Sequence, residues 1–369
     1  MTLRIRLAGK LTALAAPGGG ETQLSATAQA LRECGVDARL WRPWEEGFDQ
    51  IDCLHLFGSE SEHLNVMAAA RSRGIPVVLS TIAWFDLASR WRSGEPLRAR
   101  LNSCGKFLLR AAAPRLPSWR RRLYDNADML LPNSQAEADQ LTRYFGTPRD
   151  RIAVVPNGAD PRFAHAAPDA FSDVVPYRGF ALYAGRIEPR KNQLGFLKAM
   201  QGSHAPIVIL GDAAPGHEDY LRRCRQAAGS RTRFVSRMAH DDPLLASAYA
   251  SCGCLVLASW FETPGLVALE AGLLGVPLVL TERGAAREYF GDFARYINPA
   301  SAKSIRVNVL EALSQERNTE LAQHVEDNFT WRAVAHETLA AYDRVTKKEG
   351  PVPPPPALKR FLSKRSGMV

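Results

Sequence analysis

The stretch "CGCLVLASWFETPGLVALEAGLLGVPLVLTE", residues 252–282, holds a strand, a loop, a helix and a second strand in succession. Its two apolar runs, "CGCLVL" and "VPLVL", show no polar alternation, as in strands covered on both faces of a parallel sheet. Pro264-Gly265 permits a tight turn into "LVALEAGLL", whose first amides are unpaired donors. Glu262 precedes the turn and Glu270 lies inside an otherwise apolar helix, eight positions on. An acid near a helix start is favoured by the macrodipole, which accounts for Glu262 but not for Glu270.

The same unit recurs on either side. "FALYAGR", "PIVILGD", "RFVSRM" and "ARYINP" accompany it as strands separated by helical stretches. Nearer the N-terminus "IRLAG", "VDARLW", "CLHLF", "IPVVLST", "DMLLPNS" and "IAVVPNG" alternate with helices in the same way. A polar, proline-punctuated segment near 166–178 divides the two series. The pattern is α/β, with two Rossmann-like βα domains facing across a cleft and ligands at the C-terminal ends of the strands. The expected boundaries are 1–170, 178–328, a helical segment 329–348 and a Pro-rich basic tail 349–369.

A chain of 369 residues suits two domains rather than one core. Hydrophobic content of 46% and charged content of 23% are those of a globular protein. No apolar run approaches the ~20 residues of a membrane helix, and Lys10 with Gly18-Gly19-Gly20 breaks any signal-peptide pattern. The six cysteines lack metal-ligand spacing and suit reduced, buried thiols of a cytoplasmic protein. Charge is uneven: residues 90–122 carry ten cations and one acid, which equals the net +9 of the whole chain. This is either a solvated face or a surface for something anionic, such as a membrane leaflet or a lipid-linked phosphate. Trp91, Phe107, Leu108, Leu109 and Trp119 among the charges suit an interfacial segment.

Three further motifs bear on chemistry. In "APGGGET" the glycines let backbone amides approach a ligand at a helix start that favours an anion, though neither dinucleotide nor P-loop spacing is present. In "YAGRIEPRKNQ" Gly185 ends a strand, and Arg186 and Lys191 follow where two cations can clamp a diphosphate. Carboxylates accept paired hydrogen bonds from vicinal hydroxyls, so Glu262 and Glu270 suit the two diols of a nucleotide sugar. His55 reads as a core histidine.

In order and spacing these motifs, with "LPNSQAEADQLTRYFG", "VVPNGADPRF" and "WRAVAHETLAAYDRV", resemble the retaining glycosyltransferases of family 4, also called glycosyl transferases group 1, with the GT-B fold. The resemblance implies that Gly19 and Gly20 lie beside the donor diphosphate and that Arg186 and Lys191 neutralise it. It further implies that Gly185, Pro264, Gly265 and Leu266 frame the donor, that Glu270 binds ribose and Glu262 the transferred hexose, and that Arg237 and Met238 meet the base. The expected partners are a UDP- or GDP-linked sugar and a glycan or lipid-linked acceptor. Nucleic acid is not expected. With no D-x-D in the chain, no metal or other cofactor is expected either. The final helix would pack back on the N-terminal domain. One departure is clear: Ile82 and Ala83 stand where many members carry a His near the sugar, which leaves the group near the acceptor oxygen unidentified, with Asp86 as a local candidate. The expected activity is hexosyl transfer in surface polysaccharide or lipopolysaccharide assembly, in the cytoplasm or at the inner membrane face. A glycosidase, a sugar-nucleotide epimerase and a non-catalytic nucleotide-sugar-binding scaffold are the competing readings.

Overall fold

The computed structural model of the chain describes residues 3–10, 18–92, 97–263 and 265–346. Pro264 and the tail 349–369, both singled out above, lie outside the described residues. The first half is a parallel sheet of β1 (Arg4–Ala8), β2 (Asp37–Leu40), β3 (Cys53–Phe57), β4 (Val77–Ser80) and β5 (Met129–Leu131), in the order β2-β1-β3-β4-β5. The second half is a parallel sheet of β6 (Phe180–Ala184), β7 (Ile207–Leu210), β8 (Thr232–Val235), β9 (Cys252–Leu257), β10 (Leu278–Thr281) and β11 (Ala294–Ile297). Its order is β11-β10-β9-β6-β7-β8. β3, β4, β6, β7 and β10 are buried at every residue, which is why they show no polar alternation.

One expected strand does not form. "IAVVPNG" runs beside β5 through Ala153 N–H to Leu130 O and Val155 N–H to Pro132 O, both 3.0 Å. The next amide in phase, Asn157 N–H, donates instead to the Tyr289 hydroxyl at 2.9 Å, so the ladder stops and the segment stays an extended edge.

The order of connection reverses between β1 and β3 in the first sheet and between β6 and β9 in the second. Such switch points open a crevice at the carboxyl ends of the strands. The loops after β6 and β9, which carry Gly185-Arg186 and Phe261-Glu262, leave from the two sides of the second switch point.

The first sheet buries one face under the Gly19–Glu33 and Trp331–Thr346 helices, through Leu24, Leu31, Val334 and Tyr342. Its other face is covered by Met67, Leu123, Leu141 and Phe145. The second core begins with Ala159 and Phe163, ahead of the boundary expected at 170, and also takes in Phe171. Composition marked the polar, proline-rich piece near 166–178 as a linker, but its Phe171 is fully buried in the second half, as is Phe163 just before it. The chain crosses between the halves twice, side by side, with Ala159 N–H donating to Phe329 O at 2.7 Å.

Candidate active site

A cleft of about 630 Å³ lies between the halves, lined by Gly18, Gly19 and Gly20 from the first and by Arg186, Lys191, Glu262, Gly265 and Glu270 from the second. Gly18 caps the Gly19–Glu33 helix in an extended conformation, and its N–H donates to the Glu21 carboxylate at 2.7 Å. A Cβ on Gly18 would stand 3.3 Å from the Arg186 Cζ, so the bare backbone lets a guanidinium from the second half lie over this helix start. Gly19 faces Leu266 across the cleft, where a Cβ would meet the leucine Cδ1 at 4.0 Å.

Strand ends place the cations. Gly185 and Gly211 close β6 and β7 at φ +142° and +144°, and a Cβ on Gly211 would lie 2.2 Å from the Gly185 carbonyl oxygen. Lys191 ends a short turn and is followed by Asn192 in the left-handed region, φ +58°. The Asn192 amide pins that bend by donating to Ala258 O and Pro299 O, each at 3.0 Å. Asn is among the residues that tolerate this conformation, because its short polar side chain bonds locally.

Lys191 Nζ donates to Glu262 Oε1 at 2.6 Å, and the Ser259 hydroxyl donates to the same oxygen. Burial works against the Glu262 charge, but the Lys191 ammonium and then the Arg190 guanidinium outweigh it and hold the carboxyl below its ordinary value. Burial pulls the Lys191 ammonium down, and Glu262 only partly restores it. The Glu262 backbone is clamped as well: Ala285 N–H donates to Glu262 O, and a Cβ on Gly284 would lie 2.0 Å from that oxygen. Gly265, at φ +86°, turns the chain into the Leu266–Leu273 helix.

Glu270 projects from that helix and is only 4% exposed. The Tyr249 hydroxyl donates to one of its oxygens at 2.8 Å, and His240 Nε2 lies 2.8 Å from the other. A carboxylate only accepts, so Nε2 carries the proton and the neutral His240 Nδ1 accepts from Arg162 Nη2 at 2.9 Å. Sequence reasoning missed His240, Tyr249 and Ser259, since nothing local in the chain links them to a glutamate. Arg237 and Met238 line the cleft in the loop after β8, where the Arg237 amide donates to Asp212 Oδ1 at 3.3 Å.

The remaining sequence candidates fall elsewhere. His55 is buried, with one ring nitrogen 2.9 Å from the Ser80 hydroxyl and the other 2.7 Å from the Tyr342 hydroxyl. Burial pushes it down to about 3, so it is a neutral core histidine. Asp86 does not line the cleft; its carboxylate caps the Leu87–Trp91 helix at Ser89 N–H. Ile82 does line it, at φ +43°, a strained backbone for a β-branched side chain. The buried Glu137 holds that bend: it accepts from Thr81 Oγ1, from Ala83 N–H at 2.7 Å and from Asn133 N–H at 2.9 Å. Burial pushes the Glu137 carboxyl up to about 7, against those hydrogen bonds. Among the described residues no group of three or more His, Cys, Asp or Glu side chains is placed to hold a metal ion.

Two facing parallel sheets, with cations and carboxylates at the strand ends between them, define a two-domain α/β protein of the GT-B kind. Residues 35–163 match the family described as Glycosyltransferase Family 4, and 174–329 match the Glycosyl transferases group 1. The chain belongs to this glycosyltransferase family. It is 30% identical over 292 residues to the D-inositol 3-phosphate glycosyltransferase of Arthrobacter sp. (strain FB24), covering 72% of this chain and 68% of that one. It is 27% identical to the O-antigen chain mannosyltransferase B of Escherichia coli, over 59% of this chain and 61% of that one. In structure it resembles the sucrose-phosphate synthase of Thermosynechococcus elongatus, with TM-score 0.73 and 16% identity over 94% of this chain and all of that one. It also resembles Anabaena Alr3699/HepE in complex with UDP, with TM-score 0.66 and 16% identity, covering 93% of this chain and 100% of that one.

Proposed function

We propose that this chain transfers a hexose-type sugar from a UDP- or GDP-linked donor to a glycan or lipid-linked acceptor, with retention at the anomeric carbon and without a metal. The observation that carries this reading is the pairing of Lys191 with the buried Glu262 in the interdomain cleft, with Arg186 lying over the Gly18 helix start. In this reading the donor diphosphate lies between that helix start and the cations. As the C1–O bond breaks, charge grows on the β-phosphate oxygens, where Arg186, Lys191 and the Gly19 and Gly265 amides offset it. The acceptor oxygen bonds C1 from the same face, and its proton passes to the leaving phosphate. Glu262 has one oxygen taken by Lys191 and Ser259, leaving Oε2 for a sugar hydroxyl. Glu270, oriented by His240 and Tyr249, holds the ribose, and Arg237 with Met238 meets the base.

The pathway context we propose is surface polysaccharide or lipopolysaccharide assembly, supported by the O-antigen mannosyltransferase among the relatives. Work at the inner membrane face from the cytoplasm fits the Leu97–Ala112 helix, which has no buried residue and exposes Leu97, Leu101, Leu108 and Leu109 beside Arg98 and Lys106. No described helix is long and apolar enough to cross a membrane. A thermal-shift panel of nucleoside diphosphates and their sugars identifies the donor. Lys191→Ala is expected to abolish transfer in a protein that still folds; undiminished turnover in that variant would refute the assignment.

A further inference from the structure

A second pocket of about 430 Å³ adjoins the cleft and shares Gly20, Ile82 and Arg186 with it. Its far wall carries Arg90, from the Leu87–Trp91 helix, and Arg120, from the Trp119–Asn126 helix, and Lys10 stands at its edge. Among the described residues neither guanidinium is paired with a carboxylate. Arg90 rests on the Phe107 ring at 5.2 Å, and Arg120 on the Trp119 ring at 4.3 Å and Phe85 at 5.9 Å. Arg90 spends one N–H on the Ser103 hydroxyl at 3.0 Å, while its buried Nε has no partner among the described residues. Burial first, and then the facing Arg120 charge, hold the Arg90 guanidinium below its ordinary value. Two acids line the same pocket, Glu21 and Glu60, and Glu21 is turned away onto the Gly18 N–H.

Two like charges brought together in a partly desolvated wall, with aromatic rings supporting their faces and N–H edges left over, form a receptor for an anion. A dianion neutralises both guanidiniums, whereas a carboxylate neutralises one. We propose that this pocket seats a phosphate group of the acceptor between Arg90 and Arg120, placing the acceptor hydroxyl toward the Ile82 and Arg186 edge of the cleft. The inference rests on reading the larger cleft as the donor site. A phosphorylated sugar or polyol and a lipid-linked phosphate share the chemistry it recognises.

The test is calorimetric titration of the full chain with inorganic phosphate while the nucleoside diphosphate that binds in the thermal-shift panel is held saturating, so that the larger cleft is filled. Phosphate is expected to bind the wild type, and Arg90→Gln and Arg120→Gln are each expected to weaken it at least about tenfold, the scale of one lost charge-assisted contact. Nucleoside-diphosphate affinity in these variants reports that they are folded. Glucose 6-phosphate and a short-chain phosphatidic acid then distinguish a soluble from a lipid source, and whichever competes with phosphate names the source. Wild-type phosphate binding that survives in both variants overturns the proposal, as does no phosphate binding to the saturated wild type, or glucuronate binding as tightly as phosphate. Failure of every nucleoside diphosphate to bind would instead sink the donor reading and leave the phosphate measurement to judge this pocket alone.

Discussion

The part-buried Lys191 is paired with the buried Glu262, so the chemistry and the stability of the cleft are coupled in one contact. Removing the ammonium alone strands a carboxylate away from water, at a cost of about 3–5 kcal/mol. Lys191→Ala should therefore lower the urea midpoint as well as transfer. The double variant Lys191→Met with Glu262→Gln should recover most of the stability and none of the transfer. A double variant as unstable as the single one would refute the pairing. A second prediction at this scale concerns pH. The folded Glu137 value of about 7 lies above the unfolded one, so folding takes up a proton and stability falls as pH rises from about 4.5 to 7. For His55 the folded value of about 3 lies below the unfolded one, so stability falls as pH drops below about 6.5. The slopes oppose in the overlap. Glu137→Gln removes the first and should expose the second, a loss of up to about 1.4 kcal/mol per pH unit on acidification in urea unfolding. A curve parallel to the wild type would contradict this.

Among the elements, strand ends and helix starts carry the site, and glycines set how closely they approach. Gly211 meets two constraints at once, a positive φ and a Gly185 carbonyl where its Cβ would go. Gly211→Ala should cost at least about 1–3 kcal/mol from backbone strain alone. It should also part the loops that carry Arg186 and Asp212, visible as a lower Tm together with weaker nucleoside-diphosphate binding. Unchanged affinity would mean that these loops move independently. The Leu97–Ala112 helix is a different kind of element, with apolar side chains facing solvent between cations. Leu108→Ser with Leu109→Ser is expected to reduce binding to anionic vesicles at low salt, and salt should weaken the wild type. Vesicle binding equal to wild type in the double variant would assign the helix another role. Element type and order in the second half were legible from apolar runs bounded by Gly and Pro. "IAVVPNG" misled because a strand-like composition does not reveal a missing ladder partner, and Phe171 was hidden in a segment that reads as linker.

At the scale of the molecule, a few contacts set how the halves meet. The Glu288 carboxylate accepts from Gln135 and Ala136 N–H, both 2.7 Å, at the start of the Gln135–Phe145 helix in the first half. The neighbouring Tyr289 hydroxyl donates to Asn133 O at 2.6 Å and accepts from Asn157 N–H at 2.9 Å. Glu288→Ala should loosen this seam, enlarging the radius of gyration in solution scattering without nucleotide and raising donor KM more than it lowers kcat. An unchanged radius would place closure elsewhere. From the residues alone one reads the two βα series, the cleft at the strand ends and the Glu262–Glu270 spacing, because each depends on periodicity within one strand-loop-helix unit. The pairing of Lys191 with Glu262, the hold of His240 and Tyr249 on Glu270, the reach of Arg186 over Gly18 and the meeting of Arg90 with Arg120 were decided only by tertiary structure. These partners lie on different units or different halves, and only the packing of sheets and helices brings them within hydrogen-bonding or Coulombic range.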